Sequence, residues 1–181
     1  MKFYSKEHQQ LIAELDSLWN NLNNLAELAA RFGIDDIFQD NGAKTLQQLV
    51  YLNFTILPGR EGNDAKSNSD IEWEMKSINL DTSASGFSTN HHTNGIIIAK
   101  YRKVHWSFAF YRGIRLDEIY VMTPETLEPI FKDWEGKLTS DSVTDLNNPK
   151  IPVKFVREKG IKVYPINKKQ PLDPDSIIRK V

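Results

Sequence analysis

The sequence contains no cysteine among its 181 residues. That absence excludes disulfide bonds, thiolate metal sites and a cysteine nucleophile. Long apolar runs are also missing: aliphatic stretches such as Ile96–Ala99 are far too short to cross a bilayer, and the first residues lack the apolar core of a signal peptide. We therefore expect a cytoplasmic protein of one domain with appendages and no membrane partner.

An excess of charge is missing as well, because the formal net charge is −1 at pH 7. The charges are nevertheless segregated. Residues 1–40 contain seven acidic and three basic side chains, residues 82–116 five basic and no acidic ones, and residues 147–181 nine basic and three acidic ones. A cleft lined by the two basic segments would attract phosphates although the total charge is near zero. A nucleic-acid partner is therefore compatible with the composition.

The N-terminal segment carries an apolar stripe of heptad type, which predicts a helix that ends near Gly33. The stripe consists of Leu11, Leu15, Leu18, Leu22, Leu25 and Ala29. Such a stripe either packs on the core of its own domain or forms a surface for self-association. A second helix is predicted over residues 41–53, and the Leu57-Pro58-Gly59 step follows it as a break.

From residue 71 onward the pattern indicates strands. The predicted strands are 71–78, 95–101, 105–112, 116–122, 151–156 and 161–164, with the last two forming a hairpin around residues 157–160. Thr123-Pro124-Glu125 has the order of an N-cap, an N1 proline and an early acid, which predicts a helix to about Trp134. The tail after Pro165 is expected to be irregular. Helices followed by mostly sequential strands indicate an α+β fold with a mixed sheet.

Three charged residues stand out around the first of these strands: Asp64, Glu74 and Lys76. Alternation along a strand places Glu74 and Lys76 on one face of the strand. We expect this face to gain little from packing. A hairpin-like turn would place Asp64 beside Glu74. Two adjacent carboxylates repel unless a cation neutralises them, and Mg²⁺ prefers oxygen ligands. A lysine nearby can orient a water or stabilise charge on a phosphate. Taken alone, however, the spacing of Asp64, Glu74 and Lys76 is found more often on a solvated strand face than at a metal site.

Two polar segments offer hydrogen-bonding groups without charge. Residues 81–94 are small and polar and include His91 and His92, whereas Asn147 and Asn148 are followed by Pro149 and Pro152. These groups match base edges in a DNA groove, where asparagine can bond adenine in bidentate fashion. A loop without a role, or a simple turn at the asparagines, is the alternative. The two histidines chelate a single metal poorly because adjacent residues of an extended segment point to opposite sides, and the flanking pattern of a His-Asn-His nuclease is not evident.

Several longer stretches resemble the PvuII restriction endonuclease family of the PD-(D/E)xK nuclease superfamily, over roughly residues 22–164. They are Gly33-Ile-x-Asp-Ile-Phe-Gln-Asp-Asn-Gly42, Leu57-Pro-Gly-Arg-Glu-Gly-Asn-Asp-Ala65, Glu74-x-Lys-Ser-Ile-Asn79, Gly86-Phe-Ser-Thr89 with His91-His92, Ile97-Ile-Ala-Lys-Tyr-Arg102, Tyr111-Arg-Gly-Ile114 and Asn147-Asn-Pro-Lys-Ile-Pro-Val-Lys154. The resemblance implies a restriction-endonuclease-like α+β core with N-terminal dimerisation helices. It also implies a Mg²⁺-dependent type II enzyme that cuts double-stranded DNA.

The resemblance further implies a homodimer on a palindromic site, CAGCTG cut at its centre to blunt ends with 5′-phosphates, and a cognate DNA methyltransferase as functional partner. Asp64 and Glu74 would bind metal, and Lys76 would serve the attacking water. The residues that would contact DNA are Asp40, Ser88, Asn90, His91, His92, Tyr101, Asn147 and Asn148. Among these, Asp40 would lie near the minor groove and Tyr101 near the scissile phosphate.

The resemblance also suggests domain limits and shows departures from the family. Residues 1–164 would form one restriction-endonuclease domain, with a dimerisation helix over about 1–35 and a catalytic and recognition core over 36–164. Residues 165–181 would be a C-terminal extension without a counterpart. Asn90 stands where the family has the first of three histidines, which puts the base preference at one flanking position in question.

Other functions remain open at the level of sequence. A DNA-repair or structure-specific nuclease would use the same metal site, and cleavage at one fixed palindrome would separate the two. A DNA-binding protein that does not cut would need a missing catalytic side chain, and none is missing. A purely structural domain would show no DNA affinity at low salt.

Overall fold

The computed structural model describes residues 6–39, 41–57, 63–140, 143–165 and 174–178. The chain forms two compact units, Met1–Leu46 and Gln47–Val181. None of the helices in the described residues is long and apolar enough to span a membrane.

The first unit contains helix α1 (Lys6–Ala30) and the start of helix α2 (Gly42–Leu52), as predicted. Helix α1 ends in a Schellman motif, because Gly33 has φ 74° and the N–H of Ile34 bonds back to the carbonyl of Ala29 at 3.1 Å. Within the predicted stripe, Leu18 is 56% exposed and Ala29 is fully buried. The side chains of Leu11 and Leu15 lie outside the described part, so self-association through this stripe stays a prediction.

The second unit is built on a six-stranded mixed sheet, which confirms the predicted α+β class. The strands, in their order across the sheet, are β1 (Thr55–Ile56), β2 (Ala65–Lys66), β3 (Glu72–Asn79), β5 (His105–Arg112), β6 (Arg115–Met122) and β8 (Ile161–Tyr164). Strands β3 and β5 are parallel, and the other neighbours are antiparallel. A separate two-stranded sheet pairs β4 (Gly86–Ser88) with β7 (Lys150–Pro152). The remaining helices are α3 (Gly95–Tyr101), α4 (Pro124–Ser140), α5 (Val153–Lys159) and α6 (Pro174–Ile178).

The core lies on both faces of the sheet at strand β5. On one face, the rings of Phe108 and Phe110 each pack edge-on against Phe87 of β4, with centroids 5.0 Å apart. On the other face, Trp73 packs against Phe54 and His105, at 4.8 and 5.2 Å between centroids. A strand covered on both faces reads as a continuous apolar run, which explains why β5 is recognisable from its sequence.

Residues 95–101 were predicted as a strand, and that prediction is wrong. The segment is helix α3, because the side chain of Asn94 accepts hydrogen bonds from the backbone N–H groups of Ile96 and Ile97 at 3.0 and 3.1 Å. This N-cap outweighs the β propensity of three consecutive isoleucines. Only Ile98 and Tyr101 of the helix are buried, and their spacing of three residues is that of one helix face.

The predicted hairpin over residues 151–164 is also wrong. Strand β7 pairs with β4, residues 153–159 form helix α5, and β8 pairs with β6. Gly160 is the C-cap of α5 and leaves no room for a side chain, since a Cβ there would lie 2.6 Å from the carbonyl oxygen of Val156. Two further differences concern length: α4 continues past Trp134 to Ser140, and the tail contains the short helix α6 where irregular chain was expected.

Candidate active site

Asp64 is held against strand β3 by its backbone and its side chain. Its N–H donates to the carbonyl of Trp73 at 3.1 Å, and its Oδ2 accepts from the N–H of Met75 at 2.7 Å. Strands β2 and β3 are paired in the register Ala65↔Trp73. The carboxylate of Asp64 is therefore fixed beside Glu74, as the hairpin-like turn predicted.

Glu74 and Lys76 project from the same face of β3 and form an ion pair, with Lys76 Nζ donating to Glu74 Oε1 at 2.5 Å. Glu74 is only 4% exposed. Lys76 Nζ lies 6.0 Å from the centroid of the Trp106 ring, on the neighbouring strand β5. The expectation that this face gains little from packing is wrong, because it continues into the core through Ile78 and Phe108.

The electrostatics of this cluster favour a bound cation. Burial raises the pKa of Glu74, and the charge of Asp64 adds to the rise, while Lys76 opposes it. Burial lowers the pKa of Lys76, but the carboxylates of Glu74 and Asp64 outweigh that effect and raise it overall. Lys76 therefore stays an ammonium. A single ammonium does not offset two neighbouring carboxylates in a partly buried site.

The oxygen atoms present fit a Mg²⁺ ion. Each carboxylate uses one oxygen in the contacts above, and within the described residues Asp64 Oδ1 and Glu74 Oε2 have no hydrogen-bond partner. No group of three or more histidine or acidic residues suited to a metal occurs in that part of the chain. A Mg²⁺ site usually needs only one or two carboxylates, with water and substrate phosphates completing its shell. The two carboxylates are therefore enough for a Mg²⁺ ion whose other ligands are water or a bound phosphate.

Tyr101 links the acidic cluster to the polar segment after β4. The residue is 4% exposed, and its ring packs edge-on against Trp106 with centroids 4.8 Å apart. Its hydroxyl accepts a hydrogen bond from the backbone N–H of Asn90 at 3.4 Å. Burial raises the pKa of Tyr101. The charge of Lys76 lowers this pKa and the charge of Glu74 raises it. This side chain thus lies between the two regions that the sequence singled out.

The two polar segments are brought together by backbone pairing, although about 60 residues separate them in the chain. Ser88 of β4 is opposite Lys150 of β7. The hydroxyl of Thr89 donates to the carbonyl of Pro149 at 2.6 Å. Beyond the strands, the N–H and C=O groups of Thr93 and Leu146 form an isolated bridge at 2.9 and 2.8 Å. We call residues 86–94 and 145–152 the paired polar segments.

Six of the eight predicted DNA-contacting side chains occur on the paired polar segments, and Tyr101 lies at the end of α3. Four of them, Ser88, Asn90, His91 and His92, are exposed on the first segment. On the second segment Asn147 is exposed and Asn148 is half-buried. Asp40 lies outside the described residues, so its position relative to the others stays a prediction.

Side-chain hydrogen bonds join the two segments at both histidines. His91 Nδ1 is 2.9 Å from Asn147 Oδ1, and His92 Nδ1 is 3.1 Å from Asp145 Oδ1. His92 and Asn148 have φ angles of 60° and 52°, a left-handed conformation that is uncommon outside glycine. Such strain persists where the surroundings over-determine the backbone, often at functional sites. Asp145 was missed by the sequence reasoning, because no spacing pattern connects it with His92.

The chain was compared with known protein families. The family model described as Restriction endonuclease PvuII matches residues 10–164 of the 181. The match includes both the acidic cluster and the paired polar segments. It begins earlier than the resemblance recognised from the motifs, which started near residue 22.

Proposed function

Since the chain belongs to the PvuII restriction endonuclease family, and is thus a type II site-specific deoxyribonuclease that binds DNA, we propose that its reaction depends on Mg²⁺ and cuts a palindromic duplex. The proposed site is CAGCTG, cut at its centre to leave blunt ends with 5′-phosphates. The observation that carries the proposal is the cluster of Asp64, Glu74 and Lys76, in which two acids and an ammonium meet beside β3.

The proposed catalytic residues divide the chemistry between them. Asp64 and Glu74 would hold Mg²⁺ through the two oxygens that have no hydrogen-bond partner in the described residues. When bound, the ion neutralises phosphate charge and lowers the pKa of water. Lys76 orients the attacking water and stabilises charge on the scissile phosphate, a role that its raised pKa supports because it stays protonated.

The paired polar segments supply the proposed base contacts. Asn147 and Asn148 suit adenine, and His91, His92 and Ser88 suit other base edges in the major groove. Asn90 occupies the position next to the histidines, Tyr101 lies toward the scissile phosphate, and Asp40 is assigned to the minor groove. For the residues of the two segments, the assignment is supported by the backbone pairing that joins the segments.

The proposed assembly is a homodimer whose two-fold axis matches that of the palindrome. A palindrome presents the same half-site twice, so one protomer would read and cut each half. The exposed Leu18 in the stripe of α1 supports a self-association role for the helix over about residues 1–35. In the proposed organisation residues 1–164 are the endonuclease domain and residues 165–181 an extension, and a cognate methyltransferase would protect the same site in host DNA.

Digestion of a DNA of known sequence, followed by mapping of the fragment ends, tests the proposal. We expect Mg²⁺-dependent cuts at CAGCTG alone, with blunt ends. A Lys76→Ala variant should lose double-strand cutting while retaining DNA binding, whereas Lys137→Ala, which removes only an exposed ion pair with Asp133 on α4, should cut normally. Cutting at another sequence, staggered ends, or normal cutting by Lys76→Ala would each contradict the corresponding part of the proposal.

A further inference from the structure

The isolated bridge between Thr93 and Leu146 has a side-chain pair on either side. His91 meets Asn147 at 2.9 Å, and His92 meets Asp145 at 3.1 Å. Both contacts involve Nδ1 of the imidazole, so Nε2 is the ring nitrogen that takes no part in them. The two histidines therefore have similar surroundings but partners of different chemistry.

The partners differ in what they allow the rings to do. An amide offers both an oxygen acceptor and an N–H donor, so Asn147 is compatible with either tautomer of His91. An ionised carboxylate only accepts hydrogen bonds. Because Asp145 Oδ1 is the atom that faces His92 Nδ1, that nitrogen must carry the proton. In a neutral imidazole with a protonated Nδ1, Nε2 is a hydrogen-bond acceptor.

Asp145 is itself held in place, and His92 is accessible. The second carboxylate oxygen of Asp145 accepts a hydrogen bond from the hydroxyl of Thr144 at 3.3 Å. The side chain of His92 is 81% exposed, against 32% for Asp145. The left-handed backbone of His92 adds a further constraint on the direction of its side chain. In the neutral ring, Nε2 is therefore an acceptor on an exposed side chain, where a DNA groove would take the place of solvent.

We propose that Asp145 is a positioning residue that fixes the tautomer of His92, so that His92 reads DNA as a hydrogen-bond acceptor. The inference rests on the proposed function, in which His92 faces the major groove. An acceptor there can pair with the exocyclic amino group of adenine or cytosine. It cannot pair with O6 or N7 of guanine or with O4 of thymine, which are themselves acceptors. Asp145 thereby restricts the bases that His92 tolerates.

The tautomer can be measured without DNA. A long-range ¹H–¹⁵N correlation spectrum at pH 8.5, where free imidazole is neutral, separates protonated from unprotonated ring nitrogens, and a His92→Gln variant assigns the signals among the four histidines. We expect a protonated Nδ1 and an unprotonated Nε2 at His92. Asp145→Ala should abolish that single tautomer, while Asp133→Ala, which removes an exposed acid of α4, should leave it unchanged. A protonated Nε2 in the unsubstituted protein would overturn the inference.

The effect on specificity is measured with base analogues. Cleavage of CAGCTG duplexes in which one adenine or cytosine lacks its exocyclic amine should slow by about tenfold at the position that His92 reads, as expected for one lost hydrogen bond. Asp145→Ala should reduce that discrimination in the native background and have no further effect in a His92→Ala background. An equal effect of Asp145→Ala in both backgrounds would show a merely structural role and overturn the inference.

The two tests separate this inference from the function on which it rests. If the protein cuts no palindrome, the proposed function fails, and the spectrum alone still decides the tautomer of His92. If the protein cuts CAGCTG but His92 carries its proton on Nε2, the proposed function stands and the role of Asp145 is refuted.

Discussion

The hydroxyl of Tyr101 accepts a hydrogen bond from the backbone N–H of Asn90 at 3.4 Å, and the same ring packs against Trp106, which Lys76 approaches. One buried side chain therefore touches both the first paired polar segment and the surroundings of the acidic cluster. This contact is a physical connection between the residues proposed to read bases and those proposed to cut.

Replacing Tyr101 with phenylalanine keeps the ring packing and removes only the hydroxyl. We expect DNA affinity to change little and the single-turnover cleavage rate to fall by about tenfold, the size of one lost hydrogen bond near the reacting phosphate. Affinity would be measured by gel shift in Ca²⁺ and the rate by rapid quench in Mg²⁺. A rate equal to that of the unsubstituted enzyme would show that the hydroxyl has no part in positioning.

Asp64→Asn tests the metal site through stability instead of activity. An asparagine retains an oxygen that can accept from the N–H of Met75, so the local backbone contact is preserved. Ligand binding to the folded state alone adds about 1.4 kcal/mol at a free concentration of ten times Kd. We therefore expect Mg²⁺ to raise the Tm of the unsubstituted protein and not that of Asp64→Asn, whereas Asp133→Asn should respond normally. A Tm that still rises with Mg²⁺ in Asp64→Asn would exclude Asp64 as a ligand.

Asn90→His restores the side chain that the family has at this position. Asn90 is exposed, so the free energy of unfolding should change by no more than about 0.5 kcal/mol. We expect the change to alter the preference for bases flanking the site, because an imidazole offers other hydrogen bonds than an amide. Sequencing of cleaved ends from a library with randomised flanks measures this preference. Identical flank profiles for both proteins would show that position 90 reads no base.

Arg102 makes stability depend on pH through two carboxylates of α4. It donates to Glu128 at 2.9 Å and to Glu135 at 2.5 Å, and these hydrogen bonds lower the pKa of both acids. A lowered pKa in the folded state adds stability above the unfolded pKa of about 4.3, and that stability is lost as the pH falls through the folded values. Arg102→Met should remove this loss of stability on acidification. The loss is at most about 1 kcal/mol because the groups are partly exposed.

Urea unfolding at a series of pH values from 7 down to 3 measures how the free energy of unfolding falls with pH. Lys154→Met is the matched control, because it also removes a cation, which lies 3.8 Å from Glu158 on α5, and leaves the α4 acids untouched. The same loss of stability on acidification in Arg102→Met as in the unsubstituted protein would contradict the assignment.

Gly160→Ala and Gly136→Ala should have opposite effects on stability. A Cβ at Gly160 would meet the carbonyl oxygen of Val156 at 2.6 Å, whereas a Cβ at Gly136, inside α4, meets nothing within 4 Å. We expect Gly160→Ala to destabilise by about 1–3 kcal/mol and Gly136→Ala to stabilise by about 0.5–1 kcal/mol. Thermal unfolding of both variants measures the difference. Equal stability of the Gly160→Ala protein would mean that the end of α5 can relax without cost.

Several elements could be predicted from the sequence because their signals are local. The stripe of α1 with its terminal Gly33, the continuous apolar run of β5 and the capping order at Thr123 each depend on neighbouring residues, and the structure has helices and strands there. The same holds for Glu74 and Lys76, because alternation along a strand places them on one face wherever that strand is packed.

Other features depend on contacts between residues that are distant in the chain, and these could not be predicted. The burial of Glu74 follows from neighbours on β5, and the pairing of residues 86–94 with 145–152 joins segments about 60 residues apart. Because of that pairing, Ile151 lies in a strand beside β4, and residues 153–159 form a helix. Local propensity did not indicate this helix. The contact of Asp145 with His92 exists only because of that pairing, since hydrogen bonds across a fold leave no spacing in the sequence.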